Sequence, residues 1–285
     1  MTHRSLAAHL SLFVLPCLVA GCSAGSDAPN DTSQTALVES RCTETSTSVS
    51  CPKNTAKINL RDVHWQIPVG TAPAGGWPTV LMFQGSLFSA ELTWQASKSL
   101  PFGAYYQTKL VKELLDHGFA VIAPEAHGEG LTFWDTNNPL WANNWEASGD
   151  HKLMLAIFEA IGAGKFGPLR GTHLYATGIS SGGYMTSRMG IAYPSRFAAL
   201  GVESGSYATC AGPICSIPRL SPSHPPALLL HGDKDGTVPL STAKRYQERL
   251  NEAGIENKLI VHAGAGHEWI PEAPDAVVSW FLSHP

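Results

Sequence analysis

The chain has 285 residues, with 19 Lys and Arg against 23 Asp and Glu and a formal net charge of -4. That length holds one or two domains with chain to spare for a core, and 15% charged against 44% hydrophobic residues excludes a disordered polyelectrolyte. The near balance of charge, without basic clusters, argues against nucleic acid as the main partner. Eight tryptophans stand out in so modestly charged a chain.

His3 and Arg4 precede an apolar run, Leu6 to Ala20, broken by His9 and Pro16. A short positive start, an apolar middle and small residues beyond it predict a signal peptide over residues 1–21. A membrane-spanning helix needs about 20 apolar residues, which this run does not supply. Leu18 to Cys22 (LVAGC) also resembles a bacterial lipobox, in which Cys22 is lipidated and starts the mature chain. The alternative is ordinary secretion with cleavage a few residues later. Either path exports the protein. Residues 22–41, rich in Ser, Asp, Ala, Asn and Thr, read as a flexible tether, so one folded domain is expected over 42–285. Export leaves Cys42, Cys51, Cys210 and Cys215 in an oxidising compartment. Local disulfides Cys42–Cys51 and Cys210–Cys215 are the simplest pairing, and neither spacing suits a metal.

From there, apolar strands and helical stretches alternate. Thr79 to Phe83 reads as a strand buried on both faces, and Tyr105 to His117 as a helix stopped by Gly118. Phe119 to Ala123 is a second buried strand, followed by a helix over Lys152 to Ile161. A strand at His173 to Thr177, a helix from Ser181 to Ala192 and a strand at Ala198 to Val202 come next. Strands at Ala227 to Leu230 and Lys258 to Val261 then alternate with helices at Ser241 to Ala253 and Ala273 to Ser283. This order predicts an α/β fold: a mainly parallel sheet with helices on both faces.

Gly178-Ile179-Ser180-Ser181-Gly182 matches G-x-S-x-G and sits between a strand and a helix, the setting a nucleophile elbow requires. Ser180 is the candidate nucleophile. Ser181 is its rival, but only Ser180 has glycine two residues away on both sides. A serine hydroxyl needs a base, and the base an orienting carboxylate. Past the strand Ala227 to Leu230, Asp233 and Asp235 both qualify by position. Asp235 is preferred because it begins Asp-x-x-Val-Pro, while Asp233 reads as a turn former. His267 lies in a glycine-bearing loop beyond the last strand, whereas His262 reads as locally packed. The chain order Ser, Asp, His is that of α/β-hydrolases. The tetrahedral oxyanion needs donors, for which the backbone N–H groups of Ser181 and of Ser86, or else Leu87, are the candidates, the Gln84 side chain either assisting them or holding the loop. Gly162 to Gly167 fits G-x-G-x-x-G but follows a helix, the reverse of a dinucleotide site. Asp233 to Gly236 lacks the later ligands of a calcium loop. No cofactor and no metal are expected.

The elbow, His231 to Pro239 (HGDKDGTVP) and Gly264 to Trp269 (GAGHEW) together resemble serine esterases of the α/β-hydrolase superfamily. More narrowly, residues 55–285 resemble extracellular depolymerases of medium-chain-length polyhydroxyalkanoates, with GISSGG at Gly178 to Gly183 the most specific feature. The resemblance implies hydrolysis of a hydrophobic polyester or its oligomers by Ser180, Asp235 and His267, with no obligate protein partner. One departure is Gln84-Gly85, where many relatives have His-Gly. Short-chain depolymerases carry an extra substrate-binding module, and none is expected beyond the last helix.

Residues 127–150 hold Phe133, Trp134, Trp141 and Trp145 among Asn, Gly and Thr, without helical or strand period. Phe88 and Trp94 follow the oxyanion loop, and Trp269 sits two residues from His267. These aromatics are candidates for an apolar rim that grips polyester, or else are simply buried under their loops. A carbohydrate esterase of feruloyl or acetylxylan type is the enzymatic alternative. A non-catalytic surface lipoprotein is the other.

Overall fold

The computed structural model describes residues 41–127, 133–208 and 216–285, with the backbone alone of 210–211 and 214–215. The expected leader, the lipidation candidate Cys22 and all but the last residue of the tether lie outside the described residues.

Eight strands form the central sheet: β1 (Asn54–Ile58), β2 (Arg61–Gln66), β3 (Thr79–Phe83), β4 (Ala120–Pro124), β5 (Leu174–Ile179), β6 (Phe197–Glu203), β7 (Ala227–Gly232) and β8 (Asn257–His262). Their spatial order is β1-β2-β4-β3-β5-β6-β7-β8. Only β2 runs against the others, pairing antiparallel with β1 and β4. The strands read from the sequence are all present, Thr79–Phe83 with the same bounds and the others within one or two residues at each end. The β1–β2 hairpin was not expected. Its strands are mostly polar, β1 largely exposed and β2 half-buried, and its turn uses Asn59 and Leu60 at φ 47° and 67°, where hairpin turns usually advertise themselves with glycine.

Five helices cover the sheet: α1 (Ala104–Asp116), α2 (Gly149–Gly162), α3 (Ser181–Ala192), α4 (Leu240–Glu252) and α5 (Ala273–Leu282). β3 shows how the layers are filled. Its residues alternate faces, so Leu81 and Phe83 join Ile157, Met185 and Leu250 in one core, while Val80 and Met82 join Leu110, Leu114, Val277 and Phe281 in the other. Helices α1 and α5 thus close one side, and α2, α3 and α4 the other. Among the described residues no helix is long and apolar enough to cross a membrane.

Ahead of the sheet, Thr43–Glu44, Ser48–Ser50 and Gln95–Ser97 form a small antiparallel patch. The expected Cys42–Cys51 disulfide closes it, at an S–S distance of 2.07 Å. For the second expected pair, Cys210–Ala211 and Ile214–Cys215 form a two-stranded ladder that sets Cys210 opposite Cys215. Their side chains lie outside the described residues.

Candidate active site

Because β3, β5, β7 and β8 run parallel, the loops after them gather at one edge of the sheet. Ser180 follows β5 and caps α3 at φ 57° and ψ -120°, a conformation that costs about 1–3 kcal/mol for a residue with a side chain. The two flanking glycines explain how the turn survives. A β-carbon on Gly182 would sit 2.1 Å from the Phe83 carbonyl oxygen, and one on Gly178 2.6 Å from the same atom. Only hydrogen fits there. That close approach draws the loop after β3 over the elbow, where Gly85 faces the Ser180 β-carbon.

Asp235 and His267 come together as the sequence suggested. His267 Nδ1 lies 2.8 Å from Asp235 Oδ2, so a proton on Nδ1 is donated to the carboxylate and Nε2 is left as acceptor. The other carboxylate oxygen accepts from the backbone N–H of Thr237 and Val238, at 2.9 and 2.8 Å. Burial alone would raise the Asp235 pKa. Hydrogen bonds from His231, His267 and the Val238 N–H outweigh it and hold the carboxyl well below its usual range. It is therefore ionised at neutral pH. The rivals are otherwise engaged: Asp233 Oδ1 accepts from Gly264 N–H at 2.7 Å, and His262 Nδ1 pairs with Glu272 at 2.8 Å. Ser181 is wholly buried, its hydroxyl accepting from Trp134 N–H at 3.0 Å and donating to Asn137 Oδ1 at 2.7 Å.

Ser180 and His267 line one cavity of about 540 Å³. Its walls are mostly apolar: Leu87, Phe88, Leu92, Leu100, Phe102 and Trp269. Ser86 lines it too, and among the described residues the backbone N–H groups of Ser86 and Ser181 meet no acceptor. Gln84 serves to hold the loop. It is buried, its Nε2 donates to the Phe88 carbonyl, and its own carbonyl accepts from Trp134 Nε1 at 3.0 Å. A hydroxyl on a strained elbow and an imidazole paired with a buried carboxylate, beside an apolar cavity, suit acyl transfer from an ester.

Known proteins agree with this geometry. The profile of the dienelactone hydrolase family matches residues 102–279. A poly(3-hydroxyoctanoate) depolymerase from Pseudomonas fluorescens is 46% identical over 264 residues, covering 88% of this chain and 94% of the relative. The chain belongs to the dienelactone hydrolase family. Solved structures with the same fold include a truncated carbohydrate esterase from gut microbiota, with a TM-score of 0.59 at 15% identity over 82% of this chain and 96% of that one. A thermophilic esterase from Thermogutta terrifontis gives 0.56 at 14% identity, over 81% of this chain and 94% of its own. This member of the dienelactone hydrolase family is thus an α/β-hydrolase that cleaves esters.

The expected aromatic rim is largely overturned. Of its candidates, Phe88 and Trp269 line the cavity; Trp94, Phe133, Trp134, Trp141 and Trp145 do not. Trp94, Trp134 and Trp145 are core residues, 1%, 0% and 7% exposed. Trp134 packs edge-on to Phe83 at 5.1 Å, and Trp145 Nε1 donates to the Tyr193 hydroxyl at 3.2 Å. Phe133 and Trp141 are half-buried. An aperiodic loop hides its burial from sequence, because no face repeats. Conversely, Leu87, Leu92, Leu100 and Phe102 were missed, although apolar residues in a loop beside an elbow are themselves a signal. His231 was also missed; its Nε2 donates to the Val238 carbonyl at 2.8 Å and lies 3.3 Å from Asp235.

One cluster has the residue types of a metal site: His127, Asp135 and Asp150, whose ligand atoms lie within 4.8 Å of one another. Arg61 already occupies it, paired with Asp150, while Asp150 and Asp135 exchange backbone and carboxylate hydrogen bonds. It is an ionic knot that fixes the segment carrying Trp134 and Asn137.

Proposed function

We propose that this protein is an exported serine esterase that hydrolyses medium-chain-length polyhydroxyalkanoate through an acyl-enzyme. The observation that carries the reading is the apolar cavity of about 540 Å³ that Ser180 and His267 both line. The depolymerase relative supports the same substrate.

In the proposed reaction, His267 Nε2 takes the Ser180 proton as the hydroxyl oxygen bonds to the ester carbonyl carbon. The N–H groups of Ser86 and Ser181 receive the oxyanion. Collapse breaks the ester C–O bond, and the imidazolium returns its proton to the departing alkoxide. Water, deprotonated by His267, then attacks the acyl-enzyme and releases a hydroxy acid or shortened chain. Asp235, ionised throughout, keeps the Nδ1 proton in place.

The domain reading is part of this proposal: leader 1–21, tether 22–41 and catalytic domain 42–285, the chain being secreted or held at the envelope through Cys22. The sequence of the leader and the Cys42–Cys51 disulfide support export. A Cys210–Cys215 disulfide fits the same compartment, the two residues facing each other across a ladder. Sugar esters are disfavoured, since the cavity walls offer leucine and phenylalanine where a carbohydrate needs hydrogen-bonding groups.

The test is clearing of a poly(3-hydroxyoctanoate) emulsion, run beside ferulate release from arabinoxylan. Clearing by the wild type and none by Ser180→Ala, with its fold intact by circular dichroism, is expected. Substantial clearing by Ser180→Ala, or ferulate release without clearing, would sink the reading.

A further inference from the structure

Arg188 lies on α3, one turn beyond Tyr184, which lines the cavity beside Ser180. Arg188 itself is 7% exposed and faces a different cavity, of about 420 Å³, that shares no lining residue with the first. One Nη donates to the Ala142 carbonyl, and the guanidinium is flanked by the rings of Trp145 and Tyr207 at 5.5 and 5.4 Å. Its Nε has no partner.

The contrast with Arg61 is informative. That arginine is buried to a similar degree, and it meets the carboxylate of Asp150. Among the described residues Arg188 makes no ion pair at all. A guanidinium cannot shed its charge near neutral pH, so a buried one without an anion keeps a desolvation cost that two rings and one carbonyl offset only in part. Glu146 lines the same cavity but stays exposed and unpaired with Arg188. The remaining polar walls are Asn143, Asn144 and a hydrogen-bonded His151–Tyr193 pair, 2.7 Å apart. These groups suit a hydroxyl and do not suit a long alkyl chain.

We propose that the cavity at Arg188 is a second binding site, which takes a short hydroxycarboxylate through the guanidinium. One positive charge matches one carboxylate, in the planar geometry that arginine recognises well. The choice of a carboxylate rests on the guanidinium, which is unpaired among the described residues, and that of a hydroxyl on Asn143, Asn144 and the His151–Tyr193 pair, so neither depends on the esterase reading. The site is bounded by 142–146, close in sequence to Asn137, which lines the cavity beside Ser180. Occupancy would therefore stiffen the segment between the two cavities.

The probe is 3-hydroxybutyrate, read by thermal unfolding and by titration calorimetry on the intact chain. At about ten times its Kd, a rise in Tm of about 3–5 °C is expected. Arg188→Gln should abolish the rise. Because a buried substitution can itself impair folding, Asn144→Asp supplies the second arm. A carboxylate placed in the cavity wall should raise the ligand-free Tm and remove the response. Glu146→Gln should keep it. Several results would overturn the proposal: no rise in the wild type, or a rise that survives both Arg188→Gln and Asn144→Asp. An equal rise with inorganic phosphate would replace a carboxylate site with a general anion site. Loss of the response in Glu146→Gln would show that the ligand is held through Glu146 and not through Arg188. Competitive inhibition of soluble-ester hydrolysis by the probe would put it in the first cavity instead. Failure of the emulsion assay leaves all these readouts unaffected.

Discussion

Two loops border the elbow, and they solve opposite problems. Residues 86–102 leave apolar side chains in water: Leu87, Leu92, Leu100 and Phe102 are 87%, 42%, 40% and 44% exposed. Leu87 and Phe102 hold positive φ angles of 66° and 59° while doing so. Residues 133–150 carry more aromatic mass yet bury most of it, and they fix their backbone through Arg61, Asp135 and Asp150. One loop is built to meet something apolar. The other is built to hold Ser181 and the elbow still. Aromatic content is therefore a poor guide to which loop lines the cavity; exposure combined with backbone strain is a better one.

The largest expected effect lies outside both loops and sets the scale. Asp235→Asn should lower kcat on a soluble ester by about 10⁴, by removing the acceptor that fixes the His267 tautomer. A loss below tenfold would mean that His267 is oriented by something else. Next, Trp134→Ala should cost about 3–5 kcal/mol in urea unfolding, since it empties a fully buried site and frees the Gln84 carbonyl. A near-neutral result would break the contrast between the loops.

A buried histidine outside both loops, His224 against Tyr246, sets a pH window for stability. Burial lowers the His224 pKa to about 4, against a raising influence from the Pro225 carbonyl. The unfolded chain binds this proton more readily, below about 6.5, so the folded state loses stability as pH falls from there through about 4. The contribution is about 3 kcal/mol, and His224→Gln should flatten that slope in unfolding curves taken between pH 7 and 4. An unchanged slope would assign acid lability to other groups. The smallest effect is the most specific. Leu87→Ser and Phe102→Ser should leave stability within about 0.5 kcal/mol, while emulsion clearing falls about tenfold and soluble-ester turnover is preserved. Equal losses on both substrates would place these residues in chemistry and not in contact with polymer.

The buried strands β3 to β7 were legible because continuous apolar runs leave little else to be, and the part-exposed edge strand β8 still carries a short apolar run at Leu259 to Val261. The elbow and the Asp235–His267 pair were legible because local chemistry demands those residues at those strand ends. The β1–β2 hairpin was not, since RDVHWQ buries His64 and Gln66 beside Val63, so polarity there does not report burial. The tryptophans misled for a related reason: Trp94, Trp134 and Trp145 are packed by residues distant in sequence, which no local pattern records. Ser181 shows the same limit, its side-chain partners at 134 and 137 being more than forty positions away.

The close contact of Gly178 and Gly182 with the Phe83 carbonyl also bears on how this enzyme can change over generations. Any missense step at either codon adds a β-carbon, and that carbon has nowhere to go without moving β3. Neighbouring sequence space is thus closed at the elbow in every direction. At Leu87 and Phe102, whose exposed side chains leave room for exchange, it stays open. New ester preferences can be reached through the loop of residues 86–102 while the turn that holds Ser180 is inherited unaltered.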